Sequence, residues 1–303
     1  MRWRAAADTL MARVPASVID ASSRRSRRLS VLAYHAVDDL SRFTQQVEYL
    51  CEHMQPIALE DVLRAREESD LPSRPVLVTF DDGDPSVMDA AAVLAERGLS
   101  AVAFVVPGVL DSERPYWWVE ADALVRAAGR ATGTATEAIR RMKALPDDER
   151  LAQLDQLRAG VPGAVRQRQL RRADLLSLEA GGIEIGNHTF THRYLSRCPE
   201  EIVAFEIEEA HRTLEDVLGH PPRAFAYPDR DRDPRAVPIL RDLGYRAAFL
   251  FDHRLARLPL ADPLSISRVR VSSTTSLDRF RANVSGVHPA LHGLRSRITG
   301  REA

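Results

Sequence analysis

Two short stretches of this sequence place residues that could perform chemistry directly after strand-like apolar runs. Asp81 and Asp82 follow the run 76–78, and His188 and His192 stand four residues apart after the run 183–186. One carboxylate and two imidazoles form a three-ligand set that leaves positions on a metal ion open for water and substrate, as in hydrolytic sites. The second carboxylate would then be free to act as a base.

Each motif alone has a simpler interpretation. An Asp-Asp-Gly sequence after a strand is usually a turn that caps a helix, and a lone pair of histidines at this spacing is a weak signal. Consecutive strand residues point to opposite faces, so Asp81 and Asp82 can serve one site only where the strand ends, at Gly83. His188 and His192 share one face if their segment is helical. The combination of the two motifs favours a metal site.

The composition excludes several classes of protein. The chain has 303 residues, of which 45% are hydrophobic and 28% charged, and this is typical of a folded protein with a full core. Its net charge of −1 argues against a general nucleic-acid binder, which needs a basic surplus. Nearly all of the positive charge is arginine, and Lys143 is the only lysine.

The sequence favours a cytoplasmic location. Its two cysteines, Cys51 and Cys198, lie far apart and predict no disulfide framework. No apolar segment approaches the ~20 residues of a spanning helix, and residues 1–19 lack the unbroken apolar stretch of a signal peptide. Residues 1–29 form a basic arm that ends in an arginine cluster. We expect this arm to be solvated, with at most a weak contact to the inner membrane surface.

Strand-length apolar runs alternate with helical patterns from residue 30 onward, which predicts a parallel sheet with helical crossovers. Periodicity alone does not distinguish a barrel from an open sheet. The predicted strands are 30–34, 76–80, 101–106, 183–186, 223–227, 247–251 and 265–271. The predicted helices are 43–51, 59–65, 86–97, 173–180 and 199–218.

Residues 111–172 interrupt this alternation and predict a mostly helical insertion on one strand-to-helix loop, where α/β folds place the rim of the active site. Trp117 and Trp118 lie near its start. Aromatic rings in this place could stack on a sugar or anchor the insertion to the rest of the fold, and the sequence leaves both roles open.

The two motifs resemble the signatures of a family, the polysaccharide deacetylases or NodB-homology carbohydrate esterases. Thr79-Phe80-Asp81-Asp82-Gly83 is similar to the first signature, and Asn187-His188-Thr189-Phe190-Thr191-His192 to the second. Phe225-Ala226-Tyr227-Pro228 matches the order of the third block. The segments 32–37 and 262–269 resemble the first and a late strand of the branch that begins with Tyr-His. The resemblance spans about residues 30–282 and leaves 283–303 as a C-terminal tail.

The resemblance implies a deformed (β/α)7 barrel that carries the helical insertion, and removal of an acyl group from an amino sugar. Asp82, His188 and His192 would hold a divalent metal, most often zinc in the family, and Asp81 would be the general base. A bound cation lowers the pKa of its water and polarises the acyl carbonyl, while an adjacent carboxylate accepts the water's proton. An oxyanion would be stabilised by the metal and a backbone N–H near Tyr227.

The resemblance also implies the remaining site residues. Arg268 would hold Asp81 ionised, and packing is its alternative role. His35 is our choice as the acid that protonates the departing amine, with His253 as the alternative. Tyr227 and Pro228 would contact the substrate.

One departure from the family bears on the substrate. The third block usually continues to a glycine, but here it runs into the charged residues 229–233. Together with the expected location, this favours a small or lipid-linked glycan or glycoconjugate over a cell-wall polymer. Two other functions remain open: hydrolysis of a non-sugar or cyclic amide on the same fold, and glycan binding by a non-catalytic barrel. The sequence does not define an oligomeric state.

Overall fold

The fold is built on a curled, mostly parallel sheet, seen in a computed structural model that describes residues 28–286 except 66, 68, 69, 130, 131, 162, 164, 230 and 231. The strands are β1 (Arg28–Tyr34), β2 (Gln55–Pro56), β3 (Pro75–Phe80), β4 (Ala101–Val105), β5 (Ile183–Asn187), β6 (Ala224–Ala226), β7 (Ala247–Phe249), β8 (Ala256–Arg257) and β9 (Val269–Arg270).

The helices cover the outside of this sheet and form the insertion. They are α1 (Leu40–His53), α2 (Leu59–Arg64), α3 (Val87–Ala95), α4 (Trp117–Ala127), α5 (Thr132–Met142), α6 (Asp147–Ala159), α7 (Arg172–Ala180), α8 (Glu200–Leu218), α9 (Ala236–Asp242) and α10 (Leu277–Val284). The predicted stop of α8 is confirmed, because Gly219 adopts φ 77°, a left-handed conformation that ends the helix at low cost.

The strands β7, β6, β5, β4, β3 and β1 lie side by side in that order, and each pairs in parallel with its neighbour. The segment after β8 closes the gap between the two ends of this row. Its Ile266 bridges Phe249 of β7, and Val269 of β9 pairs with Leu32 of β1. The sheet therefore curls into the predicted deformed (β/α)7 barrel.

The closing segment is shorter than the predicted strand 265–271. It pairs with neighbouring strands only at Ile266 and over β9, because the residues between them bond to Asp252 instead. The Ser267 hydroxyl and the Arg268 amide donate to the two carboxylate oxygens of Asp252, at 2.8 and 3.2 Å. The Arg268 side chain reaches into the barrel, where it contacts Asp81.

Apolar residues separate into an inner and an outer layer. Leu77, Val102 and Phe104 belong to an inner cluster, whereas the alternate residues Val76, Val78 and others of the same strands pack against the helices. This period-two alternation continues along β3 through Thr79 to the position of Asp81, which therefore faces the barrel interior.

The predicted helical insertion consists of three helices, α4, α5 and α6, between β4 and α7. It has an apolar core of its own that includes Trp117, Leu124, Met142 and Leu154, and Tyr194 of the barrel rim packs into this core. The insertion is thereby attached to the loop that follows β5.

Two predictions concern parts of the chain outside the described residues. The basic arm lies there except for residues 28 and 29, which begin β1, and so does the C-terminal tail after residue 286. Membrane contact by the arm and the cytoplasmic location remain predictions. None of the described helices combines the length and apolar character needed to cross a membrane.

Substitution of Gly186 tests the packing of the barrel interior. A Cβ at this position would lie 2.5 Å from the Phe104 ring and 3.1 Å from the Ala224 carbonyl oxygen. We expect Gly186→Ala to lower the free energy of unfolding by about 1–3 kcal/mol, the usual cost of overpacking, as measured by urea denaturation. Gly160→Ala is the control, since its Cβ would meet nothing closer than 3.7 Å. Equal stability of both variants would contradict this packing.

Candidate active site

The candidate residues meet at one edge of the barrel because the strands that carry them are parallel. His35 follows β1, Asp81 and Asp82 follow β3, and His188 follows β5. The carboxyl ends of parallel strands share one face of a barrel, and active sites of such folds lie there. The topology therefore gathers residues more than 150 positions apart in the sequence.

Asp81 forms a buried, two-pronged ion pair with Arg268. The Arg268 Nη1 and Nη2 atoms lie 2.6 and 2.8 Å from the two carboxylate oxygens, and the two residues are 0% and 2% exposed. Burial raises the pKa of Asp81, but the guanidinium charge outweighs it and holds the pKa below its usual value. Asp81 is therefore ionised, as a proton acceptor must be.

Arg268 is itself fixed from several sides. Its Nε donates to the Leu250 carbonyl at 2.8 Å, and Nη1 also donates to the Thr79 hydroxyl at 3.0 Å. The guanidinium lies over the ring of Phe104, 5.3 Å from its centroid. These contacts fix the orientation of the guanidinium. The two-pronged ion pair then fixes the orientation of the Asp81 carboxylate.

Asp82, His188 and His192 converge as metal ligands would, with one donor atom of each within 4.8 Å of the others. The Nε2 atoms of His188 and His192 lie 3.3 and 3.1 Å from Oδ1 of Asp82. The Nδ1 atom of His188 lies 2.8 Å from the Ala226 carbonyl oxygen. Because a carbonyl only accepts, Nδ1 carries a proton and Nε2 faces Asp82, where the neutral imidazole would offer its lone pair to a metal.

The donor set fits a divalent metal. Oδ1 of Asp82 is buried, and no atom of the described residues forms a hydrogen bond with it. Burial lowers the pKa of His192, which favours the neutral imidazole that ligates metals. A buried carboxylate oxygen without a hydrogen bond is costly, and a cation bound between it and the two imidazoles would remove that cost.

The loop that carries the two histidines is not helical. Thr189 and His192 have φ of 67° and 60°, and Asp82 has φ 68°, all in the left-handed region that side chains other than glycine rarely adopt. Each costs on the order of 1–3 kcal/mol and persists only where neighbouring structure enforces it. The three side chains are therefore positioned by a strained, non-helical loop and not by the spacing of a helix.

Tyr116 is a site residue that the sequence did not reveal. Its hydroxyl donates to the main-chain carbonyl of Asp82. Burial, followed by the charges of Asp82 and Asp84, raises the pKa of Tyr116 well above its usual value and keeps it a donor. The only signal in the sequence is its place next to the tryptophan pair.

The two tryptophans have different environments. Trp117 is buried in the insertion core, with the Arg150 guanidinium 5.2 Å from its ring centroid. Trp118 is half-buried, stacks on Tyr116 with centroids 4.6 Å apart, and lies 4.6 Å from the His192 ring. Trp117 anchors the insertion, while Trp118 stands beside the metal-ligand cluster.

His35 and His253, the two candidates for the acid, lie on either side of Phe251, with ring centroids at 5.3 and 5.1 Å from it. Burial raises the pKa of Asp81 and Asp82, but nearby positive groups outweigh it, and His35 is among those groups for both carboxylates. His35 directly follows β1, which pairs with β3, and β3 leads into both carboxylates.

The Tyr227 side chain lies away from the cleft. It is 1% exposed, its hydroxyl donates to the Leu264 carbonyl at 3.3 Å, and its ring packs on Phe225. The Tyr227 N–H donates to the Phe249 carbonyl at 3.0 Å, and Pro228 has no N–H, so neither amide can serve an oxyanion. Substrate contact by this pair stays a prediction for their other main-chain atoms and the proline ring.

The charged loop after Pro228 meets the insertion at the rim. Nζ of Lys143, just beyond α5, lies 3.3 Å from Oδ2 of Asp229. Both side chains are partly exposed, at 42% and 33%. The insertion thus contacts the loop after β6 as well as the loop after β5.

A barrel with a carboxylate–histidine cluster beside an ionised aspartate is typical of hydrolases. The sequence profile described as polysaccharide deacetylase matches residues 68–248, more than half of the chain, and the chain therefore belongs to that family. This confirms the resemblance. The protein is an amide hydrolase of the deacetylase type, which acts on carbon–nitrogen bonds.

Solved structures share the fold. IcaB from Ammonifex degensii superposes with a TM-score of 0.59 at 21% identity, covering 85% of this chain and 97% of that one. The deacetylase PplD of Streptococcus pyogenes, solved in complex with acetate, gives 0.58 at 18%, covering 82% and 94%. A de-N-acetylase of Aggregatibacter actinomycetemcomitans gives 0.58 at 14%, covering 84% and 99%. No curated protein matches the chain.

Removal of Arg268 tests the buried ion pair. We expect Arg268→Ala to lower the free energy of unfolding by about 3–5 kcal/mol, because Asp81 would remain as a buried charge without its partner. Urea denaturation measures the loss. Arg223→Ala is the control: Arg223 pairs with Glu184 and Glu60, but its side chain is 38% exposed, and we expect a loss of about 0–1 kcal/mol. Equal losses would contradict the dominance of the buried pair.

Proposed function

We propose that this protein is a metal-dependent deacetylase that removes an N-acyl group, in the first instance N-acetyl, from an amino sugar of a glycan, glycolipid or glycoconjugate. The observation that carries the proposal is the convergence of Asp82, His188 and His192 beside an ionised Asp81 at the carboxyl ends of the barrel strands. Membership of the polysaccharide deacetylase family supports an acetylated saccharide as the substrate class.

Asp82, His188 and His192 would hold the metal, for which zinc is our choice because a carboxylate and two imidazoles suit it. When bound there, the ion would lower the pKa of a water molecule and polarise the acyl carbonyl. The hydrogen bond from His188 Nδ1 to the Ala226 carbonyl fixes the ring with Nε2 toward Asp82, so this nitrogen would be available to hold the metal.

Asp81 would act as the general base. It accepts a proton from the attacking water as the oxygen adds to the acyl carbon, a role worth typically 10²–10⁴-fold in rate. Arg268 keeps the carboxylate ionised and in one orientation, so it acts through Asp81 as a positioning residue rather than on the substrate.

His35 would protonate the amine as the carbon–nitrogen bond breaks. The overall reaction consumes one water and releases the free amino sugar and acetate. His35 is preferred to His253 because it directly follows β1, the strand that pairs with β3 and so lies beside Asp81 and Asp82.

The substrate would enter between Trp118 and the charged loop that begins at Asp229. The accessible side of the Trp118 ring offers an apolar surface of the kind on which sugar rings stack. The contact between Lys143 and Asp229 narrows this side of the rim. Both features favour a short or lipid-linked glycan over a long polymer laid across the cleft.

Acetate release tests the function. Purified protein should release acetate from short N-acetylated amino-sugar oligomers, lose that activity on chelation, and recover it with zinc or cobalt. Asp81→Asn should lower kcat by about 10²–10⁴-fold, because an amide cannot accept the proton, while zinc still binds. Activity of Asp81→Asn equal to the wild type would rule out this mechanism.

The same assay separates the alternatives. Turnover of cyclic amides alone would reject the sugar as substrate. One bound metal per chain with no turnover of any N-acyl compound would identify a binding protein.

Leaving-group dependence identifies the acid. We expect His35→Gln to lower kcat for N-acetyl amino sugars by about 10²–10⁴-fold, but to affect hydrolysis of an activated acetyl ester far less, because that leaving group needs no proton. His253→Gln is the matched control and should affect both substrates alike and weakly. The opposite pattern, with the selective loss in His253→Gln, would assign the acid to His253.

A further inference from the structure

A buried ionic network lies against the loop between the two ligand histidines. It joins Glu206 of α8, Arg193 of the rim, and Asp147 and Arg150 of the inserted helix α6. Glu206 and Asp147 are 1% and 3% exposed. Charged groups buried this deeply are costly unless each one is paired and hydrogen-bonded. The partners of these four residues therefore indicate what the network holds in place.

Glu206 holds the residues that precede His192. Its carboxylate accepts the Thr191 N–H at 2.7 Å and the Thr191 hydroxyl at 2.5 Å. Its main-chain carbonyl accepts the Phe190 N–H at 2.9 Å. One glutamate thus fixes two consecutive residues of the loop.

Gly108 closes the loop from the opposite side. Its N–H donates to the Phe190 carbonyl at 2.8 Å, and a Cβ at position 108 would come within 2.4 Å of that oxygen. The 190–191 segment is therefore held between α8 and the loop after β4, with little freedom to relax.

Arg193 extends the network to the insertion. Its Nη1 donates to Asp147 at 2.6 Å, and its Nε lies 3.4 Å from the Glu206 carboxylate. The other oxygen of Asp147 accepts from Arg150, whose guanidinium lies between the rings of Trp117 and Tyr194. The inserted helix is thus connected to the residue next to a metal ligand.

This network surrounds a strained residue. His192 has φ 60°, a conformation that must be enforced by its neighbours, and the residues on either side of it, Thr191 and Arg193, are the ones bound by Glu206 and Asp147. In the part of the chain that the structure describes, the buried Nδ1 of His192 forms no hydrogen bond. Unlike that of His188, this ring is oriented by the backbone that carries it and by packing against Trp118 and Tyr116.

We propose that Glu206, Arg193 and Asp147 form a positioning network that holds His192 in its ligand conformation and so sets the affinity of the protein for a divalent metal. The insertion would then support the metal site through Asp147, in addition to forming part of the rim of the cleft. The inference rests on the proposed metal site and adds to it the residues that determine how tightly the metal binds.

Zinc titration of the metal-free protein against a competing chelator tests the network. We expect Glu206→Ala to weaken zinc binding about 100-fold and Glu206→Gln about 10-fold, the range found for partners of metal ligands, because glutamine can still accept the Thr191 N–H. Asp147→Asn should weaken it about 10-fold although it lies on the insertion. Cobalt-substituted protein should show an altered visible spectrum in each variant.

Glu184→Gln is the matched control. Glu184 lies on β5, the strand that leads into the histidine loop, and forms a two-pronged pair with Arg223. It should leave zinc affinity unchanged while it lowers stability slightly. Circular dichroism and urea denaturation of each metal-free variant establish that a loss of affinity does not come from unfolding.

The outcomes are distinct. Unchanged zinc affinity in folded Glu206→Ala and Asp147→Asn would overturn the network. If Glu206→Ala does not fold, Glu206→Gln and Thr191→Val decide the question. Thr191→Val removes only the hydroxyl and its contacts with Glu206 and Arg193, and it should still weaken zinc binding. A wild-type protein that binds no divalent metal would reject the proposed function itself. Wild-type binding with unaffected variants would reject only the network.

Discussion

The ion pair between Asp81 and Arg268 depends on barrel closure, and the site depends on the pair. Arg268 comes from the segment that bridges β7 and β1, so its guanidinium reaches Asp81 only when that segment is in place. A carboxylate at this depth would otherwise take up a proton, since burial favours its neutral form. Folding of the last strand therefore determines the charge of a residue almost 190 positions earlier in the sequence.

The sequence predicted the parts of the site that local patterns determine. The apolar runs predicted most strand ends to within a few residues. Because parallel strands end at the same edge of a sheet, Asp81, Asp82 and His188 were then expected to lie together there. The same reasoning placed a helical insertion in the chain near the tryptophan pair. The residue types also predicted a three-ligand metal site with a second carboxylate as the base, whereas the role of each aspartate and the substrate came from the family resemblance.

The remaining features arise from contacts between distant segments. The loop 188–192 is strained rather than helical because Glu206 and Gly108 hold it, and neither is part of the motif. Glu206 did leave a signal: it shares the buried face of α8 with Val203, Ile207 and Ala210, where a carboxylate is out of place. No feature of the sequence predicted the burial of Tyr227, because a tyrosine that follows a strand is common both in cores and in clefts.

The contact between Lys143 and Asp229 makes the rim of the cleft chemically distinct from the rest of the surface. Lys143 is the only lysine in a chain whose other positive side chains are arginine, so the molecule carries a single side-chain primary amine. That amine is partly exposed and stands where the insertion meets the loop after Pro228. An amine-reactive fluorophore would therefore attach at this one side chain, besides the α-amino group, and would label the rim of the cleft without any engineered cysteine.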